Sequence, residues 1–150
     1  LRHPACVSSI EELTSGSFTE VFDDATATVN DVKKVVFCSG KIYYELLEQK
    51  EKSGDIETAL IRVEQLFPLP KKQLDNIVQK YKNAEHWYWV QEEPANMGAW
   101  PYIVRLYRKI NLEVIARPDS GTPATGSHER HVHTQQKLIE KVFSKTTVKA

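Results

Sequence analysis

Four groups of residues in this 150-residue chain have the types and spacings that chemistry requires. Ser39-Gly40-Lys41 closes a short apolar run and precedes a helical pattern. Backbone amides at such a strand-to-helix turn point toward an anion, and Lys41 would add a point charge. The full GxxxxGK pattern is missing and no GxGxxG occurs, so a tight turn with a helix cap is the competing reading. Glu92 and Glu93 are adjacent carboxylates at the end of a second apolar run. Two carboxylates do acid–base work when their surroundings push their pKa values apart. Neighbours on a strand point to opposite faces, which argues against a shared site. One of them is expected to accept amides of the Pro94-to-Gly98 loop instead. His128, His131 and His133 lie close together, and a metal would need a third ligand such as Glu129 or His3. No HExxH pattern is present, and a solvated helix start is the simpler reading. Arg62 and Glu64 are two apart on a strand and are expected to form a structural ion pair. Trp89 and Trp100 read as core or interface anchors.

Positioning these residues takes alternating elements. Lys34 to Cys38, Thr58 to Val63, Trp87 to Val90 and Glu113 to Ala116 are short apolar runs of strand type. Helical stripes follow each of them: Tyr43 to about Gly54, Lys71 to Tyr81, Tyr102 to Ile110, and His128 to Phe143. Apolar strands alternating with amphipathic helices make βαβ units. The expected fold is α/β, a three-layer αβα sandwich with a largely parallel sheet covered on both faces. In such sheets ligands bind beyond the carboxyl ends of the strands. Ser39, Gly40, Lys41, Arg117 and Ser120 meet there, forming a candidate anion-effector or interdomain edge. Residues 1–31 read as a linker or extension that packs on a neighbouring domain, with a short capped helix after Ser8-Ser9. Residues 32–150 read as the domain proper.

Twenty Lys plus Arg balance twenty Asp plus Glu, so no overall field draws nucleic acid or an anionic membrane. No apolar stretch approaches the ~20 residues of a membrane-spanning helix. Cys38 ends an apolar run and reads as a buried thiol, so no disulfide framework is expected and an intracellular setting is favoured.

Several stretches resemble one family. Leu1-Arg2-His3-Pro4 with Val7-Ser8-Ser9, Phe37-Cys38-Ser39-Gly40-Lys41-Ile42-Tyr43-Tyr44, RVEQLFPLP from Arg62 to Pro70, QEEPANMGAWPY from Gln91 to Tyr102 and RPDSGTPATGS from Arg117 to Ser127 occur in order. They are similar to the last domain of the thiamine-diphosphate-dependent 2-oxoglutarate dehydrogenase decarboxylating component. The resemblance implies a transketolase-like C-terminal fold of about five strands with one reversed. It implies a parent that decarboxylates 2-oxoglutarate and passes the succinyl group to the lipoyl group of the dihydrolipoyl succinyltransferase component. Such a parent is a homodimer holding thiamine diphosphate and magnesium. The family's Gly-Asp-Gly and Asn-Asn cofactor motif does not occur here. The resemblance therefore assigns this chain no catalytic, cofactor-binding or metal residue, and implies a structural and dimerising role beside the N-terminal and central domains. A bacterial cytoplasm, or a mitochondrial matrix in a eukaryote, is the expected setting. Two alternatives stand beside this reading. One is a module binding a regulatory anion, a nucleotide or a coenzyme A ester; the other is the same domain of another 2-oxoacid dehydrogenase.

Overall fold

The computed structural model describes residues 3–4 and 6–144; Leu1 and Arg2 of the first motif lie outside them. Ten elements follow one another: α1 (Ile10–Ser15), β1 (Val21–Phe22), β2 (Lys34–Cys38), α2 (Ile42–Ser53), β3 (Thr58–Val63), α3 (Lys71–Lys80), β4 (His86–Pro94), α4 (Trp100–Leu106), β5 (Leu112–Arg117) and α5 (His128–Phe143). The strands form one sheet in the order β1-β3-β2-β4-β5. β2, β3, β4 and β5 pair in parallel, and β1 runs antiparallel to β3. This is the expected α/β sandwich with one strand reversed.

Period-two alternation sorts the strand residues onto two faces. Val35, Phe37, Ala59, Ile61, Trp87 and Trp89 face Leu74 and Ile77 of α3, Tyr81 at its C-cap and Ile103 of α4. Val36, Cys38, Leu60, Tyr88, Val90 and Ile115 face Ile42 and Leu46 of α2 and Leu138 and Val142 of α5. Both faces are covered, which explains why these strands read as unbroken apolar runs. Burial pushes the Cys38 thiol up to about 12, so it remains a protonated core group. α2 stops at Gly54, whose φ of 65° allows its N–H to cap the Lys50 and Glu51 carbonyls.

Residues 21–31, expected within a linker, are integrated in the sheet and core. Val21 and Phe22 pair with Val63 and Arg62. Two residues are too short a run for periodicity to reveal, and the edge position comes from tertiary pairing. Asp24, two residues past this strand, is buried. Its carboxylate accepts from Lys50 Nζ at 2.6 Å, Leu60 N at 2.9 Å, Thr26 N at 2.9 Å and Thr26 Oγ1 at 2.7 Å. The Lys50 and Asp24 side chains are 7% and 5% exposed. One carboxylate thus closes the open edge of β3 and ties residues 23–26 to α2.

Burial alone would raise the Asp24 pKa. The bonds from Leu60, Lys50 and Thr26 outweigh it and hold the group below its ordinary 3.8. A depressed folded pKa contributes stability above the unfolded value, and that stability is lost as pH falls through the folded value. The Asp24 contribution is therefore present above pH 3.8 and disappears at more acid pH. Asp24→Ala leaves a buried ammonium without its partner and should cost about 3–5 kcal/mol, measured by urea unfolding at neutral pH. The variant should also lose part of the acid limb of the stability–pH curve. A cost under about 1 kcal/mol would show that the pair does not anchor the edge.

Candidate functional site

The carboxyl ends of β2, β4 and β5 bring charged side chains together under α5. At the β2–α2 turn Gly40 takes φ 77°, the tight turn that its Ser-Gly neighbourhood suggests. Lys41 stands at the N-cap position of α2 with no side-chain cap bond. Its ammonium pairs with Glu45 Oε1 at 3.1 Å and with Glu92 Oε1. Gln135 of α5 reaches the same two carboxylates, donating to Glu45 Oε2 at 2.8 Å and Glu92 Oε1 at 3.0 Å. Its own oxygen accepts from Arg117 Nη2 at 3.0 Å. Arg117 Nη2 also lies 3.1 Å from His131 Nδ1. A guanidinium only donates, so His131 Nδ1 must accept here.

The network runs Lys41–Glu45/Glu92–Gln135–Arg117–His131 and contains two cations and two carboxylates. Burial pulls the Lys41 pKa down, but the bonds to Glu92 and Glu45 outweigh it and raise the ammonium above its ordinary 10.5. Locally the charge is matched, so Lys41 presents no bare cation to an anion. Arg117 is 8% exposed, and its Nε is buried without a hydrogen-bond partner.

Ser120 belongs to a different cluster. Asn96 Nδ2 donates to the Ser120 carbonyl at 3.0 Å, and Ser120 N donates to Asn96 Oδ1 at 3.1 Å. This two-bond clasp holds the 117–127 loop to the loop after β4. The latter is organised by Gln91, which is buried. Gln91 Oε1 accepts from Trp89 Nε1 at 3.0 Å and Trp100 N at 2.9 Å. Its Nε2 donates to Pro94 O at 3.0 Å and Met97 O at 2.7 Å. Gly98 takes φ 66°, and a Cβ there would sit 3.0 Å from Gln91 Nε2. The QEEPANMGAW stretch is thus the end of β4 and the loop after it, built around one amide, with Asn96 reaching across to the RPDSGTPATGS loop. The residue expected to hold this loop was a glutamate; it is Gln91, because an amide both donates and accepts and a carboxylate only accepts.

Of the edge residues read from sequence, Lys41 and Arg117 join one network, Ser39 and Gly40 form its turn, and Ser120 sits in the neighbouring clasp. Glu92 enters the network without Glu93. His131 enters it, while among the described residues no group of three or more His, Cys, Asp or Glu could hold a metal ion. With Lys41 already paired with two carboxylates and no such metal-holding group among the described residues, the edge does not fit magnesium diphosphate. Arg62 Nε lies 2.8 Å from Glu64 Oε1, an ion pair by distance without hydrogen-bond alignment. The guanidinium stacks on Phe22 at 4.3 Å and Tyr43 at 4.8 Å. Sequence reasoning missed Gln135 and Glu45. The available signal was spacing: Gln135 follows His131 by four residues, and Glu45 follows Lys41 by four.

Comparison with known proteins gives consistent matches. A family model described as 2-oxoglutarate dehydrogenase C-terminal matches residues 7–143. The 2-oxoglutarate dehydrogenase E1 component of Haemophilus influenzae is 38% identical over 96% of this chain. The multifunctional 2-oxoglutarate metabolism enzyme of Mycolicibacterium vanbaalenii is 38% identical over 95%. The 2-oxoadipate dehydrogenase complex component E1 of Xenopus laevis is 39% identical over 96%. The chain spans only 16%, 12% and 16% of these relatives' lengths.

Gln91→Leu removes the partners of the buried Trp89 and Pro94 groups and of the part-buried Trp100 and Met97 groups. Each buried group left unpaired costs about 1–3 kcal/mol, so the substitution should destabilise the domain by at least about 2 kcal/mol. The same variant should free the loop amides of residues 95–100 for hydrogen exchange. Wild-type protection there would contradict the hub assignment.

Proposed function

The chain belongs to the 2-oxoglutarate dehydrogenase C-terminal family, and on that premise we propose that it is the structural and dimerising last domain of a much longer 2-oxoglutarate dehydrogenase. The parent would decarboxylate 2-oxoglutarate and succinylate the lipoyl group of the dihydrolipoyl succinyltransferase, with thiamine diphosphate and magnesium held by its other domains. A bacterial cytoplasm, or a mitochondrial matrix, would be its setting.

The observation that carries this reading is outward-facing apolar surface on an otherwise well-packed fold. Phe67 is 82% exposed at the tip of the loop between β3 and α3. Its ring lies 6.4 Å from that of Tyr102 on α4. The loop beneath is held in place, since Glu64 N and Gln65 N both donate to Glu20 O and Gln65 Nε2 donates to Pro68 O. A rigid loop presenting an aromatic ring to water is a docking feature.

Two other readings each have one observation in their favour. The unpartnered Nε of Arg117 supports a regulatory anion at the strand edge; Glu45 and Glu92 beside Lys41 oppose it. The 39% identity to the 2-oxoadipate component supports the same domain in a dehydrogenase for a longer 2-oxoacid.

Phe67→Asp in the full-length enzyme tests the proposal. Loss of a buried aromatic anchor costs about 2 kcal/mol or more, so assembly and 2-oxoglutarate decarboxylation should weaken at least about tenfold, while the thermal melt of the 150-residue chain carrying the same change stays unaltered. Full assembly and activity in the variant would overturn the docking role. Decarboxylation by the 150-residue chain alone would overturn the non-catalytic reading.

A further inference from the structure

Two surface features away from the strand edge are apolar and oppose in charge. The first is the arm carrying α1. A capping box preforms this helix: Glu12 N donates to Ser9 Oγ at 3.1 Å, and Ser9 N donates to Glu12 Oε2 at 2.8 Å. None of its residues is buried. Val7, Ile10 and Leu13 are 79%, 75% and 76% exposed, and the spacing of three sets Ile10 beside Leu13. Glu11 and Glu12 are acidic, and the helix carries no basic residue. The second is an open groove of about 380 Å³ where the end of α4 meets the start of β5. Val104, Tyr107, Ile110 and Leu112 give it apolar walls, and its two charged residues are Arg105 and Arg108. Among the described residues neither arginine is paired with a carboxylate, whereas neighbouring Lys109 is taken by Asp75 at 2.9 Å.

We propose that the α1 arm of one copy of this chain docks in the Arg105–Arg108 groove of a second copy, and the second arm in the first groove. Ile10 and Leu13 enter the apolar walls, and Glu11 faces the two arginines. An amphipathic helix in a groove is a recurring recognition mode, and a reciprocal pair of such contacts closes a two-fold dimer. The root of the arm lies on the other face of the sheet from the groove. It is fixed where His3 stacks on Tyr44 of α2 at 5.1 Å. α2 covers one face of the sheet and α4 the other. Tyr44 also sits near the carboxyl ends of the strands, and Leu112 begins β5 at the opposite edge. This inference rests on the dimerising role proposed above and names a second copy as the partner.

Light scattering of the 150-residue chain over a concentration series tests it, with Leu13→Asp, Arg108→Glu and the exchange Glu11→Arg/Arg108→Glu. All three positions are exposed, so unchanged melts will show that the variants fold. The expected result is a dimer whose dissociation constant rises at least tenfold in each single variant and recovers in the exchange. A dimer unmoved by these variants overturns the arm–groove contact and leaves the dimerising role with another surface. Failure of the exchange to rescue overturns the charge pairing. A monomer at every concentration overturns the contact and the domain's own dimerising role together.

Discussion

A charge taken out of water must be answered by a partner close at hand, and that constraint organises this domain. Asp24 is answered by Lys50 and by three further donors, and the answer fixes the outer strand to the sheet. Arg117 is answered by Gln135 and His131, which hold α5 over the end of β5. Lys41 is exposed, and its ammonium pairs with Glu45 of its own helix and with Glu92, the second joining the start of α2 to β4. The Asp24–Lys50 and Lys41–Glu92 pairs join elements that are not consecutive in the chain, and Arg117 joins β5 to α5. Charges matched within the chain also leave little for a ligand to exploit.

Loops follow the same rule in neutral form. Backbone groups buried by the turn after β4 need partners, and Gln91 supplies them from one side chain. The shape so formed carries Asn96 to Ser120. The two most distinctive stretches of the chain are therefore explained by architecture, as two loops clasped to each other.

Much of the fold was legible because its signals are local and strong. β2 and β3 are continuous β-branched and apolar runs, and α5 carries a clear stripe that begins at a Ser127 cap. β1 was not legible, since two residues carry no period and only pairing with β3 defines them. The extra length of β4 was hidden by the register shift between Val90 and Pro94, where polar residues continue the strand. At the edge, sequence named Lys41 and Arg117 as a potential anion site because both are cations near strand ends. Their partners Glu45 and Gln135 come from helices, and only the packed layers reveal that the charges cancel.

What remains unmatched faces outward: Phe67 at its loop, the α1 arm and the groove beside α4. The central claim is that this chain contributes surfaces, with its chemistry-bearing residues committed to its own fold. Hydrogen exchange compared between the 150-residue chain and the same residues within the full-length parent tests it most directly. Added protection is expected around residues 7–18, at the loop bearing Phe67 and along α4, with the turn at Lys41 and the start of α5 unchanged. Added protection confined to the Lys41–Arg117 edge, with the apolar surfaces still open to exchange, would contradict it.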